Sequence, residues 1–314
     1  MIRIENLVKN YGDVQALRSI SFDVKDGEIV GFLGANGAGK STTLKIMTSF
    51  LSPTSGNVFV NDQNILDHSL DIRKKIGYLP ESNPLYTDMI VYDLLEFTAR
   101  IRGIEGKDFR KALGRVVEQC GLHGVIHRPV ADCSKGYKQR IGLACAMIHD
   151  PKILILDEPV TGLDPNQIVE IRELIKKIGA EKMVIMSSHI LQEIEATVDR
   201  IVIIDKGEIV ADGTSKELIA NLKGRTQLAL EIKNGTEDTI HALKATQPGL
   251  DISIGPKEGD TFSLSIDYER GSDPREAIFK HAVESGWIIL EMSRHKIQLE
   301  DVFRSLTMEG GSNA

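Results

Sequence analysis

Residues 34–42 read Gly-Ala-Asn-Gly-Ala-Gly-Lys-Ser-Thr and follow the apolar run Ile29-Val30-Gly31-Phe32-Leu33. The run has the composition of a buried strand, and Thr42, Leu44, Ile46 and Met47 carry the chain on as a helix. A strand, a glycine-rich loop and a helix N-terminus, in that order, make a cradle for phosphate oxygens. Gly34, Gly37 and Gly39 permit the tight turn that aims consecutive N–H groups across Ala35, Asn36 and Ala38 at the phosphates. Lys40 reaches the same oxygens, and the Ser41 hydroxyl has the position that ligates Mg²⁺.

A second group lies downstream. Residues 153–159 read Ile-Leu-Ile-Leu-Asp-Glu-Pro, an aliphatic run suited to a strand buried on both faces and ending in two carboxylates. Ligands of open parallel sheets sit at the carboxyl ends of the strands. Asp157 is therefore expected to hold Mg²⁺ through water, and Glu158 to orient or deprotonate the water that attacks a γ-phosphorus. Read more plainly, the pair ends a strand and caps the next helix. Gly162-Leu163-Asp164-Pro165 follows at once, a turn whose own carboxylate, Asp164, is expected beside the site.

A third group is Cys133-Ser134-Lys135-Gly136-Tyr137-Lys138-Gln139-Arg140, after which Ile141, Ala144, Cys145 and Ile148 recur at helical spacing. Ser134 is the expected N-cap, and a helix N-terminus among basic residues is a second anion site. A second subunit would explain why one chain carries two. Standing alone, the stretch would read as an ordinary capped helix.

The three groups, in this order and spacing, resemble the ATP-binding subunits of ATP-binding cassette (ABC) transporters over about the first 220 residues. The resemblance implies ATP and Mg²⁺ as cofactors. It implies that Tyr11 stacks on adenine, and that His189, after the apolar run Met183–Met186, contacts the γ-phosphate. Without it, Tyr11 reads as a surface aromatic and His189 as a neighbour of a helix cap. It further implies that Ser134, Lys135, Gly136 and Tyr137 face the nucleotide of a partner in a homodimer or heterodimer. Integral membrane transporter subunits are the expected partners, with this chain peripheral on the inner face of the cell membrane.

Three departures from the family pattern stand out. Glu81 occupies a position commonly held by glutamine; a carboxylate there can still approach Mg²⁺, at a greater electrostatic cost near phosphate. Lys135 replaces the usual first glycine of the signature, and Tyr137 the usual glutamine. These variants are similar to export-type subunits, including multidrug and gliding-motility ATPases, and residues 77–86 are most similar to the gliding-motility type. The expected function is an ATPase that drives membrane subunits; the alternative is a soluble ABC ATPase acting on ribosomes, nucleic acid or protein assembly.

Composition agrees with a globular protein of one large and one small domain: 314 residues, 41% hydrophobic and 26% charged. A formal net charge of −7 argues against general affinity for nucleic acid or an anionic membrane surface. Cys120, Cys133 and Cys145 form neither a disulfide framework nor a metal-ligand spacing, which fits a reducing cytosol. The N-terminus lacks the apolar core of a secretion signal, and no run approaches the roughly 18 apolar residues of a membrane span. A transporter reading thus requires separate membrane subunits.

The predicted fold is an α/β P-loop ATPase with an antiparallel β-layer (Ile2, Ile4, Leu7 and Ile20, Phe22, Val24) and a helical subdomain over about residues 88–150. The loop Glu81–Tyr86 is its expected hinge. The ATP-binding domain is expected to span 1–222, a small α+β domain 225–308, and a fraying tail 309–314. In the small domain, strand-helix-strand-strand-helix-strand order suggests a ferredoxin-like plan. Asp273 is read as a helix cap, Pro274 as the first helical residue and Glu276 as the close of a capping box.

Overall fold

A computed structural model describes residues 1–221, 225–269, 272–295 and 298–308. The chain divides into two compact units, Met1–Ser215 and Lys216–Ala314. The junction expected at 222–224 and the tail expected at 309–314 lie outside the described residues.

In chain order the strands of the first unit are β1 (Ile2–Tyr11), β2 (Val14–Val24), β3 (Ile29–Leu33), β4 (Ser55–Val60), β5 (Gln63–Asn64), β6 (Ile76–Leu79), β7 (Ile153–Leu156), β8 (Met183–Ser188), β9 (Arg200–Asp205) and β10 (Glu208–Gly213). An antiparallel sheet runs β2-β1-β4-β5, and a second sheet runs β10-β9-β3-β8-β7-β6. In the second sheet all neighbours are parallel except the β9–β10 hairpin. Every residue of β3, β7 and β8 is buried. Continuous aliphatic runs belong in such strands, because parallel strands are covered on both faces. The register pairs Leu33 with Ser188 and Leu156 with Met186. The loops after β3, β6, β7 and β8 therefore leave the sheet at one edge.

The inner faces of the two sheets close one core, in which Phe22 and Phe32 stack with ring centroids 5.4 Å apart. The expected helical region is present as Val91–Ile101, Gly106–Cys120 and Lys135–Met147. Its apolar stripes include Leu95, Ala99, Val116 and Cys120, and Tyr92 meets Phe109 edge-on at 5.6 Å. Just past the third helix, His149 Nε2 lies 3.1 Å from the Ile76 carbonyl at the start of β6.

In the second unit β11 (Arg225–Lys233), β12 (Asp251–Glu258), β13 (Thr261–Glu269) and β14 (Ile288–His295) form an antiparallel sheet of order β12-β13-β11-β14. Helices Glu237–Thr246 and Arg275–Glu284 supply Ile240, Leu243 and Ile278 to a core with Leu230, Phe262, Ile266 and Trp287. The ferredoxin-like order expected from the sequence is the one observed.

The predicted capping box is not. Pro274 occupies the cap position, and the Asp273 carboxylate binds the Arg275 guanidinium at 2.7 Å while also accepting the Arg275 backbone N–H at 3.2 Å. Glu276 pairs with Lys280 at 2.7 Å. The box fails at Glu276, whose carboxylate is taken by the lysine one turn further along the helix. The box forms at the preceding helix, where Thr236 and Thr239 exchange side-chain and backbone bonds. A helix over Leu299–Met308 was not anticipated, although Leu299, Val302, Phe303 and Leu306 carry its spacing.

Burial, reinforced by the Arg102 charge, pulls the His149 pKa down from 6.5 to about 4. A depressed folded value means that the unfolded chain takes the proton first, so His149 contributes stability above pH ~6.5 that is lost as pH falls toward ~4. Urea denaturation of His149→Asn and the parent between these limits should show a flatter pH dependence for the variant; parallel profiles would contradict this.

Candidate active site

The loop after β3 enters the helix Lys40–Met47 through Gly39, which has a φ of 113° and no side chain to cap the helix. Its first N–H groups thus remain available to an anion. Lys40 is 5% exposed and folds back over the loop. Its Nζ donates to the carbonyls of Gly34 (2.9 Å) and Ala35 (3.2 Å) and pairs with Glu158 Oε1 at 3.3 Å.

Asp157 and Glu158 follow β7 directly and are 1% and 4% exposed. Asp157 Oδ1 accepts from Ser41 Oγ at 3.1 Å and from Ser187 Oγ at 2.7 Å. Ser187 Oγ in turn accepts the Glu158 N–H at 2.9 Å. One hydroxyl thus fixes both carboxylate residues. Glu158 has a left-handed backbone, φ 49°, which a non-glycine residue adopts only when its surroundings hold it. Its Oε2 accepts from Thr161 Oγ1 at 3.0 Å and lies 2.8 Å from His189 Nδ1.

A cavity of about 280 Å³ is lined by Ala16, Asn36, Gly37, Gly39, Lys40, Ser41, Thr42, Glu81 and Glu158. An adjoining one of about 700 Å³ takes in Tyr78, Glu81, Lys135, Asp157, Glu158 and Thr161. Burial and the nearby Asp157 and Glu81 charges push the Tyr78 phenol upward, so it remains a protonated donor at neutral pH. Hydroxyl and carboxylate oxygens 3.1 Å apart at Ser41 and Asp157 are the hard donor set that suits Mg²⁺.

Of the other expected residues, Ser134, Gly136 and Tyr137 stand apart. Ser134 caps the helix Lys135–Met147, its Oγ accepting the Tyr137 N–H at 3.3 Å. With Gly136, Tyr137, Arg140, Gln167 and Glu170 it lines a separate cavity of about 430 Å³. A β-carbon at Gly136 would lie 2.7 Å from Gln167 Cδ, so the Gln167 side chain would have to shift to admit one. Lys135 instead lines the cavity of Asp157 and Glu158, with its ammonium packed against Gly162. Asp164 spends its carboxylate capping the helix Pro165–Gly179, where it accepts the Gln167 N–H at 2.9 Å. Tyr11 is half exposed at the end of β1, with Lys9 Nζ 5.2 Å from its ring centroid.

Sequence reasoning missed Ser187 and Thr161. For Ser187 there was a signal: a hydroxyl closing an otherwise aliphatic, fully buried strand must find a partner inside.

The family model described as ABC transporter matches residues 17–161. Several relatives align along nearly the whole chain. The linearmycin resistance ATP-binding protein LnrL of Bacillus subtilis is 32% identical over 310 residues, covering 98% of each chain. The bacitracin transport ATP-binding protein BcrA of Bacillus licheniformis is 33% identical over 318 residues, covering 98% of this chain and 97% of its own. This chain is an ABC transporter ATP-binding protein. Among solved structures, a dimeric ATP-binding cassette in a post-hydrolysis state bound to ADP and Pi has a TM-score of 0.62 and 25% identity, covering 68% of this chain and 98% of its own. The ABC protein is accordingly an ATPase whose hydrolysis of ATP drives transport, built on a dimer-forming cassette. Among its described residues no helix is long and apolar enough to cross a membrane.

Ser187→Ala in this ABC ATPase would leave the buried Glu158 N–H and one Asp157 lone pair unpaired. A loss of about 1–3 kcal/mol in urea denaturation is expected; an unchanged midpoint would show that the bridge is replaceable.

Proposed function

We propose that the chain acts as one half of an ATP-binding dimer, each of whose two sites combines one chain's Lys40 loop with the other chain's Ser134–Tyr137 segment. The observation that carries this reading is the separation of the two anion-binding features. Lys40, Ser41, Asp157, Glu158 and His189 converge on one sheet edge, whereas Ser134, Gly136 and Tyr137 line a different cavity. Each chain then carries two unlike halves of a site, as a symmetric pair requires.

In that site Lys40 and the N–H groups from Ala35 to Thr42 hold the β- and γ-phosphates, Gly34, Gly37 and Gly39 keep the loop close, and Tyr11 stacks on adenine. Ser41 and Asp157, with Glu81 nearby, would hold Mg²⁺, which supplies positive charge to the phosphate oxygens. Glu158 takes the proton of the attacking water as its oxygen bonds the γ-phosphorus, while the bond to the ADP oxygen breaks and ADP leaves. A phosphate that draws Lys40 away also releases Glu158 Oε1 for this task. His189, already 2.8 Å from Glu158, senses the γ-phosphate. Lys135 and Asp164 lie along the dimer face.

We read the dimer as a peripheral subunit on the inner face of the cell membrane, attached to integral membrane subunits that export their cargo. The names of its near full-length relatives, linearmycin resistance and bacitracin transport, support an antibiotic as that cargo. A mechanical, gliding-motility role is the second reading, and the wording of residues 77–86 favours it. The cassette is assigned to 1–222 and a domain that stabilises or regulates the dimer to 225–308.

Glu158→Gln should bind MgATP, lose nearly all turnover and accumulate as an ATP-dependent dimer in sedimentation, while Lys40→Ala should lose nucleotide affinity itself. Near parental single-cycle turnover of Glu158→Gln would remove the general-base role. Mixing Lys40→Ala with Ser134→Arg chains should leave at most one complete site per heterodimer. Activity no greater than either variant alone would argue against shared sites.

A further inference from the structure

Two residues beyond Glu81, Asn83 reaches the helix Lys135–Met147. Its Nδ2 donates to the Lys138 carbonyl at 2.8 Å, and its amide sits where any β-carbon on Gly142 would collide with it. Its backbone is left-handed, φ 41°, in a turn closed by its own N–H donating to the Pro80 carbonyl at 3.0 Å. One helical turn from Asn83's acceptor, the Lys138 N–H donates to the Ser134 carbonyl at 2.9 Å.

A turn alone would account for an asparagine at a positive φ, and glycine would serve as well. It would not account for the amide bonding a helix carbonyl. Nor would it account for glycine at 142, since glycine inside a helix costs about 1 kcal/mol relative to alanine. A locally unfavourable glycine and an amide bond that the turn does not require meet at one contact, and the contact ties the Glu81 loop to the helix that opens at Ser134. The ends of that tie lead to different places: Glu81 lines the cavity of Lys40 and Glu158, and Ser134 lines the separate one.

We propose that Asn83 is a positioning residue that couples the two ATP sites of the dimer. Resting on the shared-site reading above, the link makes a shift of the Glu81 loop at one site move the Ser134 end of the same chain, which belongs to the other site. Occupation of the first site then changes the second, a coupling of at least about fivefold in ATP affinity being the usual range for such links.

The test is ATP hydrolysis by the full chain across ATP concentration, with thermal unfolding alongside. Asn83→Gly keeps the turn and removes the amide; Gly142→Ala drives a methyl into it. Each should bring the Hill coefficient down to about 1, and the double variant should fall no further, because both changes break the same contact. Asn83→Gly should also restore the thermal stability that Gly142→Ala loses, since it vacates the space the methyl needs, without restoring cooperativity. A Hill coefficient unchanged in Asn83→Gly overturns the coupling and leaves Asn83 a turn former. ATP-dependent dimerisation of Glu158→Gln, measured in the same preparations, separates the two ideas: a dimer with unchanged cooperativity refutes only the link, whereas no dimer refutes the shared sites and the link with them.

Discussion

The ion pair between Lys40 and Glu158 is the contact around which the first unit is arranged. Both side chains are almost completely buried, 3.3 Å apart. Taking two such charges out of water costs several kcal/mol per ion unless the remaining donors and lone pairs are satisfied. They are satisfied: Lys40 also meets two carbonyls of its own loop, and Glu158 meets Thr161 and His189. These partners arrive from the ends of β3, β7 and β8, which must be adjacent, parallel and in register for the network to close. The order β3-β8-β7 is the arrangement that supplies all three.

That dependence explains which parts of the molecule could be read from the chain. The glycine-rich loop, the Ile153–Leu156 strand with its two terminal carboxylates and the cap at Ser134 are local patterns whose physics is complete within ten residues. The antiparallel layer and the ferredoxin-like order likewise follow from alternation and turn chemistry. Ser187 bonding Asp157, and Asn83 bonding Lys138, span 30 and 55 residues and exist only once the sheet and the helices have assembled. Glu276 illustrates the opposite failure. Its place in a capping box was legible, but so was Lys280 one turn on, and it pairs with that lysine, while Asp273 still accepts the Arg275 N–H.

The two units solve the same packing problem differently. The first buries its central strands on both faces, so the chain there is nearly all aliphatic and polar groups survive only at the strand ends. In the second, β13 alternates buried and half-buried residues along its length, the pattern of an antiparallel sheet with a single packed core face. Chemistry gathers at the rim of the first because a buried parallel sheet leaves its polar groups nowhere else to go.

Glu158 holds its left-handed backbone against an intrinsic preference worth about 1–3 kcal/mol. Asparagine or glycine would relax the backbone there but would leave the buried Lys40 ammonium without its carboxylate, a loss of about 3–5 kcal/mol that exceeds the strain relieved. A population of variants selected only for resistance to heat should therefore keep glutamate at this position, as should one selected for turnover, so the enzyme's durability and its work rest on the same residue.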